Sequence, residues 1–104
     1  MGRTRRGEIW LADLGFVAKV RPVLIPSIEY HDDERAVVTY VTRTTNVRGT
    51  RYEVAHSSRG FDEGVFDAQG LGTLPDVKLV RRIGQVDVVT LERVENAVRL
   101  WLRL

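Results

Sequence analysis

The chain has 104 residues, of which 43% are hydrophobic and 29% are charged, with a formal net charge of +2, which fits one soluble globular domain over residues 1–104. It has no cysteine, so disulfides and thiolate metal sites are excluded. No apolar run approaches the roughly 18 residues of a membrane-spanning helix, and the basic N-terminus lacks the apolar region of a secretory signal, so we expect a cytoplasmic protein.

The N-terminal half of the chain contains three apolar segments with strand character. The first, Glu8–Asp13, alternates between two faces in the manner of a strand. The second, residues 23–25, follows Pro22, whose missing N–H suits the start of a strand or an edge strand. The third, residues 36–42, is rich in β-branched and aromatic residues and gives the clearest strand prediction of the chain.

The C-terminal half combines glycine-rich sequence with two strand candidates and one helix. Residues 52–55 and 77–83 are the strand candidates, and residues 57–76, with four glycines, predict a loop with short strand pieces. Apolar residues recur at helical spacing in 89–102, and Thr90 is the predicted N-cap. Short strands followed by one amphipathic helix predict a mainly β fold, a small twisted barrel closed by a helix.

Arginine accounts for fourteen of the sixteen basic residues. Its planar guanidinium suits phosphate, which indicates a nucleic acid or another polyanion as partner. A GC-rich genome would also raise the arginine content, and composition alone leaves both explanations open. Basic residues cluster at 3–6, 43–51 and 78–82, apart from the acidic runs at 32–34 and 62–63, and this segregation favours a basic face.

Residues suited to metal-dependent or nucleophilic catalysis form no recognisable pattern. The run at 31–34 has metal-ligand residue types without a spacing that fixes a coordination geometry, and a solvated charge run explains it better. His56 stands alone, and a lone histidine is more often structural than catalytic. What remains is a donor-rich strand end at residues 42–46, which could hold a phosphate and a base edge. Threonines also suit a β-edge, so both explanations stay open.

Three short motifs follow one another along the chain: RGEIWLADL at residues 6–14, KVRPVLI at 19–25 and RTTN at 43–46. Together, in this order and spacing, they resemble the MazF/PemK family of toxins from toxin–antitoxin systems. The segment LERVENAVRLWLRL at 91–104 is similar to the closing helix of that family. The resemblance therefore covers nearly the whole chain, and it implies an SH3-like β-barrel closed by a C-terminal α-helix and a homodimer.

The resemblance also implies an activity, that of a sequence-specific, metal-independent endoribonuclease toxin without a cofactor. Such an enzyme cuts single-stranded mRNA by 2′-OH attack and leaves a 2′,3′-cyclic phosphate and a 5′-OH. The family's catalytic arginine corresponds to Arg21, and its catalytic threonine to Thr44, with Thr42 as the alternative. Six further residues are the expected RNA contacts: Trp10, Lys19, Arg43, Thr45, Asn46 and Arg48. A cognate antitoxin is the expected protein partner.

Two other functions stay open beside this one. The connection at residues 14–19 is shorter than is usual in the family, which favours a catalytically inactive interaction module of the same fold. The second alternative is a gyrase-poison-type toxin that acts through its C-terminal helix. The presence of Arg21 and Thr44 argues against both. Trp10 is explained equally well as a core aromatic residue.

Overall fold

The computed structural model describes residues 4–15 and 19–104. It contains six strands and one α-helix, which are β1 (Glu8–Asp13), β2 (Val20–Leu24), β3 (Val37–Thr44), β4 (Glu53–Ser58), β5 (Phe61–Pro75), β6 (Leu79–Gln85) and α1 (Val88–Leu102). A short 3₁₀ turn, Asp76–Lys78, joins β5 to β6. Within the described ranges, none of the helical segments combines the length and the hydropathy that a bilayer crossing requires.

The six strands form one curled antiparallel sheet in the order β4-β5-β3-β2-β1-β6. The long strand β5 joins the two parts of this sheet, because it pairs with β3 on one side and with β4 on the other. Helix α1 follows the last strand and packs against β4 and β5. The prediction of a mainly β, SH3-like barrel closed by a C-terminal helix is confirmed.

Each face of the sheet carries its own apolar cluster, because successive side chains of a strand point to opposite faces. We call one the Trp10 face; its buried members include Trp10, Ala12, Val23, Ile25, Val38 and Leu74. We call the other the Phe66 face; its buried members are Ile9, Leu24, Val41 and Phe66, together with Val94 of α1. The helix therefore covers the Phe66 face.

The prediction of a loop with short strand pieces over residues 57–76 is wrong, because most of this region forms the long strand β5. Its glycines allow side chains of β3 to cross over it, since a Cβ at Gly72 would lie 2.5 Å from the Tyr40 hydroxyl oxygen. Gly70 is likewise covered by the hydroxyl of Thr42. Between the pairs Val41–Leu71 and Thr42–Asp67, β5 carries extra residues as a bulge. These glycines mark close approach across a sheet rather than chain flexibility.

Other elements begin and end at different residues than predicted. The strand predicted at 52–55 is Glu53–Ser58, and the one predicted at 77–83 is Leu79–Gln85. The prediction of Thr90 as N-cap is wrong, because Asp87 occupies that position and its Oδ1 accepts a hydrogen bond from the Thr90 N–H over 2.8 Å. The helix therefore begins one residue before the predicted 89–102.

Candidate functional site

The register between β2 and β3 relates the two predicted catalytic residues. Val23 lies opposite Thr42 and Leu24 opposite Val41. Continued by two residues beyond the Val23–Thr42 pair, the same register leads to Arg21 and Thr44. Both positions belong to the Trp10 face, because they alternate with their neighbours in step with Val23 and Thr42. The structure thus brings Arg21 and Thr44 to one end of two adjacent strands.

Arg21 stands on a backbone that is fixed from both sides. It lies opposite Ala12 in the β1–β2 ladder, and Pro22 beside it restricts the local backbone. Val23 and Leu24, which follow, are both 0% exposed. The side chain of Arg21 itself is exposed. A cation mounted in this way can meet an anion without first ordering its backbone.

The hydroxyl of Thr44 is oriented by its own turn. Thr44 Oγ1 accepts a hydrogen bond from the Asn46 N–H over 3.0 Å. With one lone pair engaged, the Thr44 O–H can be donated to another acceptor. Thr42, in contrast, lies within the β2–β3 ladder with its hydroxyl over Gly70. This geometry favours Thr44 over Thr42 as the donor at the strand end.

The turn after β3 is organised by one carboxylate. Glu53, at the start of β4, accepts backbone N–H groups from Arg48 over 3.0 Å, from Gly49 over 2.6 Å and from Thr50 over 3.0 Å. The hydrogen bond from Arg48, with those of the other two amides, holds the pKa of Glu53 below its usual range. The loop that follows Thr44 is therefore held by three hydrogen bonds to one carboxylate.

Four of the six predicted RNA contacts are exposed: Lys19, Thr45, Asn46 and Arg48. Lys19 closes the β1–β2 connection, since its carbonyl accepts the Leu14 N–H over 2.9 Å and its φ is 54°. Residues 16–18 of that connection lie outside the described residues. Lys19 directly precedes β2, and the other three residues follow the end of β3, so all four belong to segments next to Arg21 and Thr44.

Trp10 and Arg43, the other two predicted contacts, are buried. Trp10 is 6% exposed, packs in the cluster of the Trp10 face and donates its indole N–H to Glu8 Oε1 over 3.1 Å. Its ring is not available for stacking on a base, which favours the alternative of a core aromatic residue.

Arg43 points away from its threonine neighbours and into the Phe66 face. It is 4% exposed, and its guanidinium lies 5.1 Å from the Phe61 ring centroid. Nε donates to His56 Nδ1 over 2.9 Å, and Nη2 donates to the carbonyl oxygens of His56, at 3.0 Å, and of Asp62. These donors are engaged inside the protein, so this placement does not support an RNA contact by Arg43. Strand alternation alone would have separated it from Thr44.

The hydrogen bond from Arg43 also determines which ring nitrogen of His56 carries the proton. Because Nδ1 accepts from Arg43, the neutral ring carries its proton on Nε2, which lies 3.3 Å from Ser58 Oγ. Burial and the positive charge of Arg43 lower the pKa of His56, against a smaller opposite effect of Asp87. Burial also lowers the pKa of Arg43. The pair is a structural link between β3 and the β4–β5 hairpin.

The acidic run at residues 31–34 is exposed. Among residues 4–15 and 19–104, no three His, Asp or Glu side chains converge in a way that could hold a metal ion.

A groove beside Thr44 was not found by sequence reasoning. It has a volume of about 680 Å³, and its lining includes Thr45, Val47, Ala55, Ser57, Glu63 and Val65. Val65 lies opposite Thr44 on one side and opposite Ala55 on the other, so these three side chains form a row across β3, β5 and β4. Half of the lining, Ser57, Glu63, Gly64 and Val65, belongs to the region predicted as a loop with short strand pieces, and no local signal reveals its strand pairing.

Comparison with known proteins supplies a family match. The model of the family described as PemK-like, MazF-like toxin of type II toxin–antitoxin system matches residues 5–102. An endoribonuclease from a mycobacterial species, solved in complex with its cognate antitoxin, is similar in structure, with a TM-score of 0.84, 28% identity and coverage of 97% of this chain and 96% of that chain. The Mycobacterium tuberculosis toxin MazF-mt6 has a TM-score of 0.81 and 29% identity, with coverage of 93% and 97%. MazF from Deinococcus radiodurans shares the fold at 16% identity, with a TM-score of 0.83 and coverage of 97% of both chains.

Proposed function

This chain belongs to the PemK-like, MazF-like toxins of type II toxin–antitoxin systems, and we propose that it is an endoribonuclease that cuts single-stranded mRNA at specific sequences without a metal ion. The observation that carries the proposal is that Arg21, near the start of β2, and Thr44, at the end of β3, lie at the same end of two paired strands, just beyond the Val23–Thr42 pair. An exposed guanidinium and an oriented hydroxyl at one strand end suit a phosphodiester.

The chemistry needs little from the protein, because RNA carries its own nucleophile. The 2′-oxygen forms a bond to phosphorus, and the bond from phosphorus to the 5′-oxygen breaks. The 2′-OH proton passes to solvent, and the leaving 5′-oxygen takes a proton from solvent. The products are a 2′,3′-cyclic phosphate and a 5′-OH. The protein's contribution is alignment of the 2′-oxygen and stabilisation of charge at the phosphorus.

Arg21 and Thr44 have distinct parts in this mechanism. Arg21 clamps the scissile phosphate with two N–H donors, and a guanidinium, which has no acceptor atom, is not suited to serve as a general base. Thr44 donates its hydroxyl to a non-bridging phosphate oxygen while Asn46 holds the hydroxyl oxygen from behind, over 3.0 Å. Both groups stabilise the charge that develops on the phosphate oxygens in the transition state.

The proposal extends to partners and location. The mycobacterial endoribonuclease at 28% identity was solved with its cognate antitoxin, which supports an antitoxin partner for this chain as well. We propose that the protein forms a homodimer and that it acts in the cytoplasm, where its mRNA substrate is found. Lys19, Thr45, Asn46 and Arg48 are the proposed contacts to the RNA on either side of the scissile phosphate.

Cleavage of a long single-stranded RNA in EDTA tests this function. The wild type should give discrete fragments whose 5′ ends accept phosphate from polynucleotide kinase without prior phosphatase treatment, as 5′-OH ends do. Arg21→Ala should abolish the fragments, and Arg35→Ala, which removes an exposed arginine elsewhere, should not. A well-folded wild type that leaves several RNAs intact, or that cuts only with a divalent metal, would overturn the proposal and favour an inactive interaction module.

A further inference from the structure

We propose that the groove beside Thr44 holds the base next to the scissile phosphate, and that Glu63 selects there a base with an exocyclic amino group against uracil. This inference rests on the proposed function and adds a specificity-determining residue to it. The groove is continuous with the proposed catalytic site, because it begins one strand away from the Thr44 hydroxyl. Thr44, Val65 and Ala55 are direct neighbours across the sheet.

The lining of the groove suits a base better than a phosphate. Val47, Ala55 and Val65 provide apolar walls against which a flat ring can pack, and the groove volume of about 680 Å³ admits a nucleotide. The charged group contributed by its side chains is the carboxylate of Glu63. A carboxylate repels the RNA backbone, so the strand would turn a base edge toward it and keep its phosphates on the side of Arg21.

Glu63 has the hydrogen-bonding character that this selection requires. Among residues 4–15 and 19–104, no hydrogen bond or ion pair engages its carboxylate, and its side chain is exposed. An ionised carboxylate only accepts hydrogen bonds. Cytosine N4, adenine N6 and guanine N2 offer amino donors to it, whereas uracil offers one imide N–H between two carbonyl oxygens that the carboxylate repels.

The backbone around Glu63 is held in place by the buried arginine. Arg43 donates to the carbonyl oxygens of Asp62 and His56, which precede Glu63 and Ser57 in the groove lining. Gly64 on the other side leaves room for that guanidinium, since a Cβ there would lie 3.0 Å from Arg43 Nη1. Arg43 thus supports the groove from the Phe66 face as a positioning residue, without touching RNA.

A cleavage-site profile on an RNA of random sequence provides the first test. Wild type and Glu63→Gln are incubated with it in EDTA, and the 5′-OH ends are sequenced. At one of the two nucleotides that flank the cut, the wild type should disfavour uracil on the order of tenfold. Glu63→Gln, whose amide can also donate to a uracil carbonyl, should show that bias reduced to about twofold at whatever total rate it cuts. The control Glu92→Gln, on the exposed face of α1, should keep the wild-type profile.

Binding measurements with RNA that cannot be cut test the role of Glu63 separately from the proposed cleavage chemistry. The probes are oligocytidylate and oligouridylate with 2′-fluoro sugars, which lack the nucleophile and cannot be cut, and their Kd values are measured by fluorescence anisotropy. The wild type should prefer the cytidylate probe, and Glu63→Gln should lose that preference. An inactive wild type with this Glu63-dependent preference would overturn only the proposed cleavage. Equal Kd ratios in wild type and Glu63→Gln, or uracil accepted equally at both flanking positions, would overturn the role of Glu63.

Discussion

Arg43 donates its Nε–H to Nδ1 of His56 over 2.9 Å in the interior of the Phe66 face. The bond requires Nδ1 to be unprotonated, so the folded protein holds His56 in its neutral form. Protonation of the ring would place two positive charges in contact and remove the acceptor of Arg43. The link between β3 and the β4–β5 hairpin is therefore sensitive to pH.

Stability should fall in mildly acidic solution because of this bond. An unfolded histidine has a pKa of about 6.5, and burial and Arg43 lower the pKa of His56 in the folded state. Between these two values the unfolded chain binds more protons, so the free energy of unfolding decreases as pH falls. The contribution of neutral His56 to the free energy of unfolding is therefore complete above about pH 6.5 and is lost as the pH falls below that value. Urea unfolding at pH 7.5 and at pH 5.5 measures the change.

The two histidines of the chain allow a matched comparison. His56→Asn places an amide oxygen where Nδ1 accepts and cannot titrate, so it should flatten the dependence between these two pH values. His31→Asn changes the exposed histidine and should leave the dependence as in the wild type. An undiminished dependence in His56→Asn would assign the effect to other groups.

Gly70→Ala should destabilise the fold by about 1–3 kcal/mol, as overpacking does. The new Cβ would collide with the Thr42 hydroxyl and lie 3.2 Å from the Asp67 carbonyl oxygen. Adding Thr42→Ala removes that hydroxyl and should recover part of the loss. Urea unfolding of the two single variants and the double variant measures the coupling, and strictly additive free energies would contradict the contact.

Glu53→Gln should loosen the turn after β3. The amide offers one acceptor oxygen in place of the two carboxylate oxygens that bind the N–H groups of Arg48, Gly49 and Thr50. Amide hydrogen exchange at residues 48–50 should accelerate, with little change in α1. Glu92→Gln on the helix is the control. Unchanged exchange in the turn would mean that its order does not depend on the carboxylate.

The strands at Glu8–Asp13 and near residues 36–42, and the amphipathic helix, could be predicted because their apolar patterns are local. Strand β5 could not be predicted, because its glycines look like loop signals until Tyr40 and Thr42 are placed across them. Only the pairing with β3 and β4 explains why a strand of 15 residues tolerates them. In the sequence alone, a glycine of a loop cannot be told from a glycine that makes room for a side chain of a neighbouring strand.

The sequence alone indicated only some of the residues of the candidate site. Arg21 and Thr44 followed from a family resemblance, and the register leads to both of them. Arg43 is predicted as an RNA contact beside its threonine neighbours, although alternation along the strand sends it to the opposite face. Glu63 had no signal in the sequence, because its relation to Thr44 depends on the order of β3, β5 and β4.

Single-turnover cleavage by threonine variants, in EDTA and with saturating enzyme, addresses the pairing of Arg21 with Thr44. Thr44→Ser keeps the hydroxyl and should cut within about threefold of the wild-type rate. Thr44→Val removes it and should slow cleavage by on the order of 10²-fold, as loss of one transition-state donor does. Thr42→Val should stay close to the wild type. A wild-type cleavage rate in Thr44→Val, or a loss of cleavage confined to Thr42→Val, would contradict the assignment of Thr44 as the hydrogen-bond donor to the phosphate.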